Sequence, residues 1–315
     1  MLRLSFIVPF YNVEVYIEEC IRSLYNQDIP WDEYEVICID DCSPDDSRKI
    51  VEKLQTEYPT LKLLTTPENL RQGGARNMGL DIARGKYIWF VDSDDYIKPN
   101  CLKRLLKQAE AEDLDILDFD FDSDFSKQAF IKNEKSFDSG ICSGADYVFC
   151  KEYGGRWSWR CSCVWGGIVK YNLIKELRFR EKVQYEDNDF ALIMYARANR
   201  LHHIEEKPYY YRVVESSTVN RKVTLVQLVY NVELLSLYMQ LYNSDNGFDI
   251  RFHEGIKELI KYTAVQLIRQ LKLLPKSERK TFYDKKMANI SGLKSFLGKK
   301  VWLSLNYDII RKIIY

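Results

Sequence analysis

The fold of this chain is decided by residues 86–95, which read KYIWFVDSDD. The segment Lys86–Asp92 has the length and the β-branched and aromatic content of a buried strand. Three carboxylates, Asp92, Asp94 and Asp95, follow within four positions, and they would repel one another unless a cation neutralised them. In open parallel sheets, ligands bind beyond the carboxyl ends of the strands. The segment therefore predicts a central strand that ends in a ligand site, with a solvated acidic turn as the alternative.

Strand-like and helix-like segments alternate on the amino-terminal side of this strand. The predicted strands are Leu4–Pro9, Glu35–Asp40 and Leu61–Thr65, and the predicted helices are Val13–Gln27, Pro44–Tyr58 and Gly74–Ala83. Such alternation is typical of parallel strands joined by helices that cover the sheet in right-handed connections. We therefore expect an α/β fold with a mostly parallel sheet flanked by helices.

The pattern becomes less regular after residue 100 and helical after residue 222. Further strands are predicted at Leu114–Asp122, Cys163–Lys170 and Pro208–Val213, and further helices at Ser143–Tyr153, Asp187–Ala198, Leu225–Tyr242 and Ile250–Leu274. A Ser-Ser-Thr cluster within Glu215–Arg221 interrupts the periodic patterns. We expect one domain at residues 1–215 and a helical carboxyl-terminal region at 216–315.

Charge is balanced overall but unevenly distributed. The chain has 46 Lys and Arg and 46 Asp and Glu, which disfavours a nucleic-acid partner bound through bulk charge. Residues 271–315 hold 11 basic and 3 acidic side chains together with apolar residues such as Trp302. This composition is compatible with peripheral association with a membrane surface. The alternative is a helix that packs on the first domain with its charges in water.

Cysteine and histidine usage favours reduced thiols over a zinc site. None of the 8 Cys forms a Cys-x-x-Cys pair, and there are only 3 His. The chain opens without the pattern of a secretory signal peptide, and no stretch approaches the ~20 apolar residues of a spanning helix. We expect a cytoplasmic protein, with the inner face of the membrane as an additional location.

Two polar motifs accompany the predicted sheet. The first, at 40–47, reads DDCSPDDS and follows the second strand, where a carboxylate can accept hydrogen bonds from a base or a ribose. A turn with a helix N-cap is the alternative. The second, at 72–79, reads QGGARNMG and opens the third helix. Its glycines allow close approach of a ligand, and Arg76 offers a rigid fork for phosphate oxygens. An ordinary helix surface is the alternative.

A third polar motif, at 184–190, reads QYEDNDF. A carboxylate where a loop meets a helix can act as general base toward an acceptor hydroxyl. Acidic residues also favour the first turn of a helix for electrostatic reasons. Glu186, Asp187 and Asp189 are alternatives for the base.

In order and spacing, these motifs resemble those of the family 2 glycosyltransferases, which have the GT-A fold. The resemblance covers residues 1–215 and is strongest in the first hundred. The matching segments are Ser5–Asn12, Asp40–Asp41, Ala75–Gly79 and Asp92–Asp95, with looser matches at Glu186–Asp187 and Tyr211–Arg212. Two positions depart from the family pattern, because Cys42 and Tyr185 stand where glycine is common.

The resemblance implies an inverting, metal-assisted glycosyltransferase of polysaccharide biosynthesis. It would move a hexose or N-acetylhexosamine from a nucleotide diphosphate sugar, a UDP-sugar, to a hydroxyl of a glycan or lipid-linked acceptor. Residues 1–100 would form the nucleotide-binding half and 101–215 the acceptor-binding half. The implied site residues are Pro9, Tyr11, Asp41, Arg76 and Asp92 at the nucleotide, Asp94 at a divalent Mn²⁺ or Mg²⁺, and Asp187 as base.

Four residues are further candidates on the acceptor side or in a closing loop. Trp157 and Trp159 offer flat faces for a sugar ring, with core packing as the alternative. Glu186 is a rival base, and Arg212 begins a segment that is expected to close over the diphosphate. An ordinary linker is the alternative for that segment.

Two other functions compete with sugar transfer. A sugar nucleotidyltransferase also combines a nucleotide-binding sheet with a metal-binding carboxylate, but its Gly-rich opening loop is replaced here by Pro9–Asn12. A non-catalytic protein that binds nucleotide sugars or glycans would bind the same ligands without turnover.

Overall fold

A computed structural model of the chain describes residues 2–124, 139–149, 163–214, 225–244, 247–248, 250–275, 277–279 and 282. The chain divides into two units, Met1–Ser217 and Thr218–Tyr315. Several predicted features lie outside the described residues. These are Trp157, Trp159, Ser216 and Ser217, which follow Arg212 in the segment expected to close over the diphosphate, and the basic region beyond residue 282.

One mixed sheet of nine strands runs through the described part of the first unit. The strands are β1 Leu4–Phe10, β2 Tyr34–Asp40, β3 Leu61–Thr65, β4 Tyr87–Phe90, β5 Tyr96–Ile97, β6 Ile116–Ser123, β7 Ile141–Cys142, β8 Gly167–Lys170 and β9 Leu201–Tyr211. Their order is β3-β2-β1-β4-β8-β6-β9-β5, with β7 paired to β9. The first four strands are parallel, so their carboxyl ends meet at one edge. Beyond β4 the sheet becomes mixed, because β8 runs antiparallel to both β4 and β6.

Helices cover both faces of this sheet. They are α1 Ile17–Tyr25, α2 Ser47–Gln55, α3 Arg71–Ile82, α4 Leu102–Ala111, α5 Gly144–Phe149, α6 Tyr171–Ile174 and α7 Glu186–Arg197. Alternate residues of β1 enter different cores: Phe6 packs in the cluster with α1 and α4, and Ile7 in the cluster with α3 and α7. This alternation follows from the pleat of a strand that is buried on both faces. The predicted α/β fold is confirmed.

Two helices begin later than their apolar patterns predict. We expected helices from Val13 and Pro44, whereas α1 starts at Ile17 and α2 at Ser47. The intervening residues bind across the two loops instead. The N–H of Val13 donates to Ser47 Oγ (2.9 Å), and the N–H of Glu14 donates to Asp45 Oδ2 (2.9 Å). These bonds hold the loops that follow β1 and β2 against each other.

Strand β9 is longer than the strand predicted at Pro208–Val213. It starts at Leu201 and runs parallel to β6. The pairing shifts register between Phe119 and Phe121, near the point where Pro208 enters the strand. Proline has no N–H to donate to a ladder, so it is tolerated at such an irregularity. The early part of β9 was missed because that proline was taken as the start of the strand.

The described part of the second unit is helical, as expected. Helices α8 Leu225–Asn243 and α9 Ile250–Leu271 pack against each other. Leu228, Leu235, Ile256 and Ile260 are fully buried there. Among the residues that the structure describes, no helix is both long and apolar enough to cross a membrane.

Candidate active site

The acidic loop after β4 is held by the end of β9. The backbone N–H of Asp92 donates to the hydroxyl of Tyr209 (3.2 Å), and that hydroxyl donates to Oδ2 of Asp95 (2.6 Å). Oδ1 of Asp95 accepts the backbone N–H of Arg212 (2.8 Å). With both oxygens bonded and only 1% of the residue exposed, Asp95 faces the protein interior.

Asp94, by contrast, is partly exposed beside the charge of Asp92. Burial of the carboxyl raises the pKa of Asp94 to about 6, Asp92 adds to the rise, and Arg212 opposes it. A divalent cation would relieve this crowding of negative charge. Mg²⁺ is commonly bound by one or two carboxylates plus substrate phosphates, which fits the partly exposed carboxylate of Asp94. Within the described residues, no group of three or more His, Cys, Asp or Glu side chains is arranged to hold a metal ion by itself.

Arg76 lies between this loop and helix α7. Nη2 donates to Asp92 Oδ1 (2.8 Å) and Nη1 donates to Glu186 Oε1 (2.6 Å). The side chain is 2% exposed, and its buried Nε has no hydrogen-bond partner. Burial alone would lower the pKa of Arg76, but the charges of Asp92, Glu186 and Asp187 outweigh it and raise the pKa. The guanidinium thus binds protein carboxylates on both sides.

A close backbone approach allows this arrangement. A Cβ at Gly73 would lie 2.2 Å from the carbonyl oxygen of Arg180 and 3.0 Å from Cγ of Glu186. Any larger residue at position 73 would push α3 away from the segment that leads into α7. Gly73 was predicted to allow close approach of a ligand. In the structure it allows close approach of the backbone at Arg180.

The three acidic residues in the first turn of α7 have different surroundings. Glu186 is paired with Arg76, and Asp189 is paired with Arg180, whose Nε and Nη2 donate to it at 2.9–3.1 Å. Asp187 is partly exposed and accepts a hydrogen bond from Nδ2 of Asn188 (3.1 Å). Burial raises the pKa of Asp187 well above its usual value, the charge of Glu186 adds to this, and Arg76 opposes it.

The nucleotide-side candidates lie at the ends of β1 and β2. Pro9 is in β1, and Tyr11 just beyond it is 49% exposed. Asp41 follows β2, and its Oδ1 accepts hydrogen bonds from Thr66 Oγ1 (2.9 Å) and the N–H of Leu70 (2.8 Å). Burial raises the pKa of Asp41, and these hydrogen bonds partly offset it. One oxygen of Asp41 thus fixes the start of α3.

Both departures from the family's glycines occur at left-handed backbone positions. Cys42 has φ of +63° and Tyr185 has φ of +60°. Because these angles lie in the region that glycine adopts most easily, the turns keep a glycine-like conformation despite the side chains.

The end of β9 places Arg212 against two tyrosines. Its guanidinium lies 4.9 Å from the ring centre of Tyr16 and 5.4 Å from that of Tyr96, and it donates to Oε2 of Glu19 (2.8 Å). Sequence reasoning missed these partners, and it also missed Tyr209 and Arg180. Tyr209 and the partners of Arg212 lie far along the chain from the residues they contact. Arg180 is nine residues before Asp189 and, like the others, carries no motif of its own.

Solved structures show the same architecture. A crystal structure of Staphylococcus aureus TarS 1–349 in complex with UDP superposes with a TM-score of 0.73 at 23% identity, covering 99% of this chain and 88% of that chain. A second, in complex with UDP-GlcNAc, has a TM-score of 0.67 at 22% identity and covers 94% and 90%. The fold is therefore the GT-A fold, as the sequence motifs predicted.

Sequence comparison defines the family. The chain belongs to glycosyl transferase family 2, whose sequence model, described as "Glycosyl transferase family 2", matches residues 5–176. An uncharacterized glycosyltransferase of Escherichia coli K12, YibD, is 28% identical over 68% of this chain and 62% of its own length. The poly(ribitol-phosphate) beta-N-acetylglucosaminyltransferase TarS of Staphylococcus aureus MW2 is 34% identical over 67% of this chain and 35% of its own length. The matched region thus spans less than two thirds of these relatives.

Proposed function

We propose that this protein is an inverting, metal-assisted glycosyltransferase that transfers a sugar from a UDP-sugar to a hydroxyl of a glycan or lipid-linked acceptor. The observation that carries the proposal is the difference among the three carboxylates at the start of α7. Glu186 and Asp189 each form an ion pair with an arginine, whereas Asp187 is partly exposed and forms no ion pair within the described part of the chain. Asp187 is next in sequence to Glu186, whose partner Arg76 also binds Asp92. This arrangement brings a candidate base next to a candidate donor site.

The nucleotide half, residues 1–100, would bind the donor. We propose that Pro9, Tyr11 and Asp41 border the base and that Asp92 lies near the ribose. Arg76 would act on the nucleotide through Asp92, because its Nη groups bond to carboxylates. The similar TarS structures are complexes with UDP and with UDP-GlcNAc, which supports a UDP-sugar as donor.

Asp94 would hold Mn²⁺ or Mg²⁺. When bound there, the cation would neutralise the charge that gathers on the departing diphosphate. The raised pKa of Asp94 supports this assignment, because burial and the charge of Asp92 both disfavour the ionised carboxylate and a bound cation would offset them.

The acceptor half, residues 101–215, would supply the base. Asp187 would take the proton of the acceptor hydroxyl as the oxygen attacks the anomeric carbon and the bond to the diphosphate oxygen breaks. Its raised pKa suits this role, since a carboxylate that holds a proton more tightly is a stronger base. A single displacement of this kind inverts the anomeric configuration.

A binding screen followed by product analysis tests the proposal. Thermal shift would be measured with each nucleoside diphosphate, with and without Mn²⁺, on the wild-type protein, Asp94→Asn and the control Asp81→Asn. Asp81 is an exposed carboxylate that pairs with Arg178 at the surface. A ligand at about 100 times its dissociation constant adds about 2.7 kcal/mol to the free energy of unfolding.

We expect a Mn²⁺-dependent shift with UDP that Asp94→Asn loses and Asp81→Asn keeps. The corresponding UDP-sugars are then tested for transfer to glycan acceptors, with the anomeric configuration of the product read by NMR. A product that retains the donor configuration would overturn the single displacement. Binding without turnover on any acceptor would favour a non-catalytic binding protein.

Membrane-surface association is the part of the proposal that rests on the basic residues of 271–315. We expect the full chain to float with vesicles that contain anionic lipid and to remain unbound with neutral vesicles. The variant Lys299→Glu/Lys300→Glu should bind more weakly. Equal flotation of both proteins would contradict this role.

A further inference from the structure

The third carboxylate of the acidic loop, Asp95, does not face a ligand. Its two oxygens are bonded to the hydroxyl of Tyr209 and to the backbone N–H of Arg212, at 2.6 and 2.8 Å. It is also 1% exposed. A buried carboxylate that is bonded at both oxygens holds neighbouring groups in place and is not available to a metal or a phosphate.

Tyr209 ties together the two ends of the loop. Its hydroxyl accepts the backbone N–H of Asp92 and donates to the side chain of Asp95. The loop is also closed on itself, because the N–H of Asp95 donates to the carbonyl of Asp92 (3.0 Å). Asp94 therefore lies in sequence between Asp92 and Asp95, which are both hydrogen-bonded to the hydroxyl oxygen of Tyr209.

That oxygen atom is itself held firmly. Tyr209 is fully buried, and its ring stacks on Trp165 with the ring centres 4.7 Å apart and an interplanar angle of 14°. The carbonyl of Trp165 accepts a hydrogen bond from Nε1 of Trp89 in β4 (3.0 Å). The hydroxyl is thus anchored through packed aromatic rings to the strand from which the acidic loop emerges.

We infer that Tyr209 and Asp95 are positioning residues that aim the carboxylate of Asp94 at a divalent cation on the donor diphosphate. The inference rests on the proposed function. A metal ligand binds well only when neighbouring groups fix its direction, and loss of such a neighbour typically weakens metal affinity about 10- to 100-fold. Because Asp95 also accepts the backbone N–H of Arg212, the pair fixes the acidic loop to the end of β9.

The test measures Mn²⁺ affinity directly. Free Mn²⁺ is followed by its electron paramagnetic resonance signal during titration of the protein with UDP present. The proteins are wild type, Tyr209→Phe, Asp95→Asn and the control Tyr210→Phe. Tyr209→Phe keeps the ring against Trp165 and removes only the hydroxyl. The hydroxyl of Tyr210 bonds to Asp124 instead, and its ring stacks on Tyr96.

We expect Mn²⁺ affinity in Tyr209→Phe and Asp95→Asn to fall about 10- to 100-fold, with Tyr210→Phe within twofold of wild type. Binding of UDP in the presence of EDTA should remain within twofold of wild type in all variants, since positioning of Asp94 matters only when metal is present. General loosening of the fold would instead weaken both measurements.

Wild-type Mn²⁺ affinity in both positioning variants would overturn the inference, and so would a parallel loss of metal-free UDP binding. If circular dichroism shows that Tyr209→Phe does not fold, Asp95→Asn decides, because Asn has nearly the same size and retains one acceptor oxygen. Failure of the wild-type protein to bind Mn²⁺ with UDP would contradict the proposed function itself, which is a different result.

Discussion

Nη1 of Arg76 donates a 2.6 Å hydrogen bond to Oε1 of Glu186, and both side chains are buried at 2% and 5% exposure. This contact joins α3 to the first turn of α7. Since Nη2 of the same guanidinium bonds to Asp92, one cation holds both the acidic loop and the helix that carries Asp187.

Removal of this cation is expected to destabilise the protein strongly. Breaking a buried ion pair by deleting one partner typically costs about 3–5 kcal/mol, because the remaining charge stays buried without compensation. We expect Arg76→Ala to lower the free energy of unfolding, measured in urea, by at least that amount. Asp81→Ala breaks the exposed pair with Arg178 and should cost less than about 1 kcal/mol. Similar losses in the two variants would show that the Arg76 pairs contribute little.

Asp187→Asn separates catalysis from stability. Transfer should be abolished, because an amide cannot accept the acceptor's proton. In the folded wild type the pKa of Asp187 is raised, so the folded state binds more protons than the unfolded state between the two pKa values. The stability of the wild type should therefore fall as pH rises through this range. Asp187→Asn has no ionisable group at this position, so it does not undergo this loss. The difference in melting temperature, variant minus wild type, should therefore be larger at pH 8 than at pH 5.

Asp189→Asn is the matched control for that variant. It leaves Arg180 without the carboxylate that both Nε and Nη2 now contact, so it should be less stable than wild type at pH 8. If Asp187→Asn kept wild-type transfer and Asp189→Asn lost it without unfolding, Asp189 would be the base.

The three acids of α7 show where sequence reasoning ends. The position of the helix follows from its apolar pattern, and the strands β3 and β4 follow from short apolar runs. Which carboxylate lacks an arginine partner depends on where the tertiary structure places Arg76 and Arg180, which pair with Glu186 and Asp189. Tyr209 carries no local signal at all, because a tyrosine in a strand is ordinary, and only its bond to Asp95 identifies it.

Protonation of Asp94 should weaken metal binding at mildly acidic pH. The pKa of Asp94 is raised to about 6 in the metal-free protein, and a carboxyl must be ionised to bind a cation. Below pH 6 we expect the Mn²⁺ affinity, measured with UDP present, to fall up to about tenfold per pH unit. UDP binding without metal should change less over the same range. A metal affinity that is constant from pH 7 to pH 5 would exclude Asp94 as a ligand.

The left-handed turn at Cys42 predicts a stabilising substitution. A side chain at φ of +63° costs about 1–2 kcal/mol relative to glycine, whereas glycine costs about 0.5–1 kcal/mol in lost chain entropy. Cys42 is exposed, and its Sγ makes two long contacts with Thr66, one with the carbonyl oxygen (3.4 Å) and one with Oγ1 (3.7 Å). Cys42→Gly should therefore raise the free energy of unfolding by about 0.5–1 kcal/mol, measured in urea. Cys42→Ala keeps the Cβ and loses the thiol, so it should give no gain. Equal stabilities for the Gly and Ala variants would mean that the turn carries no strain at this residue.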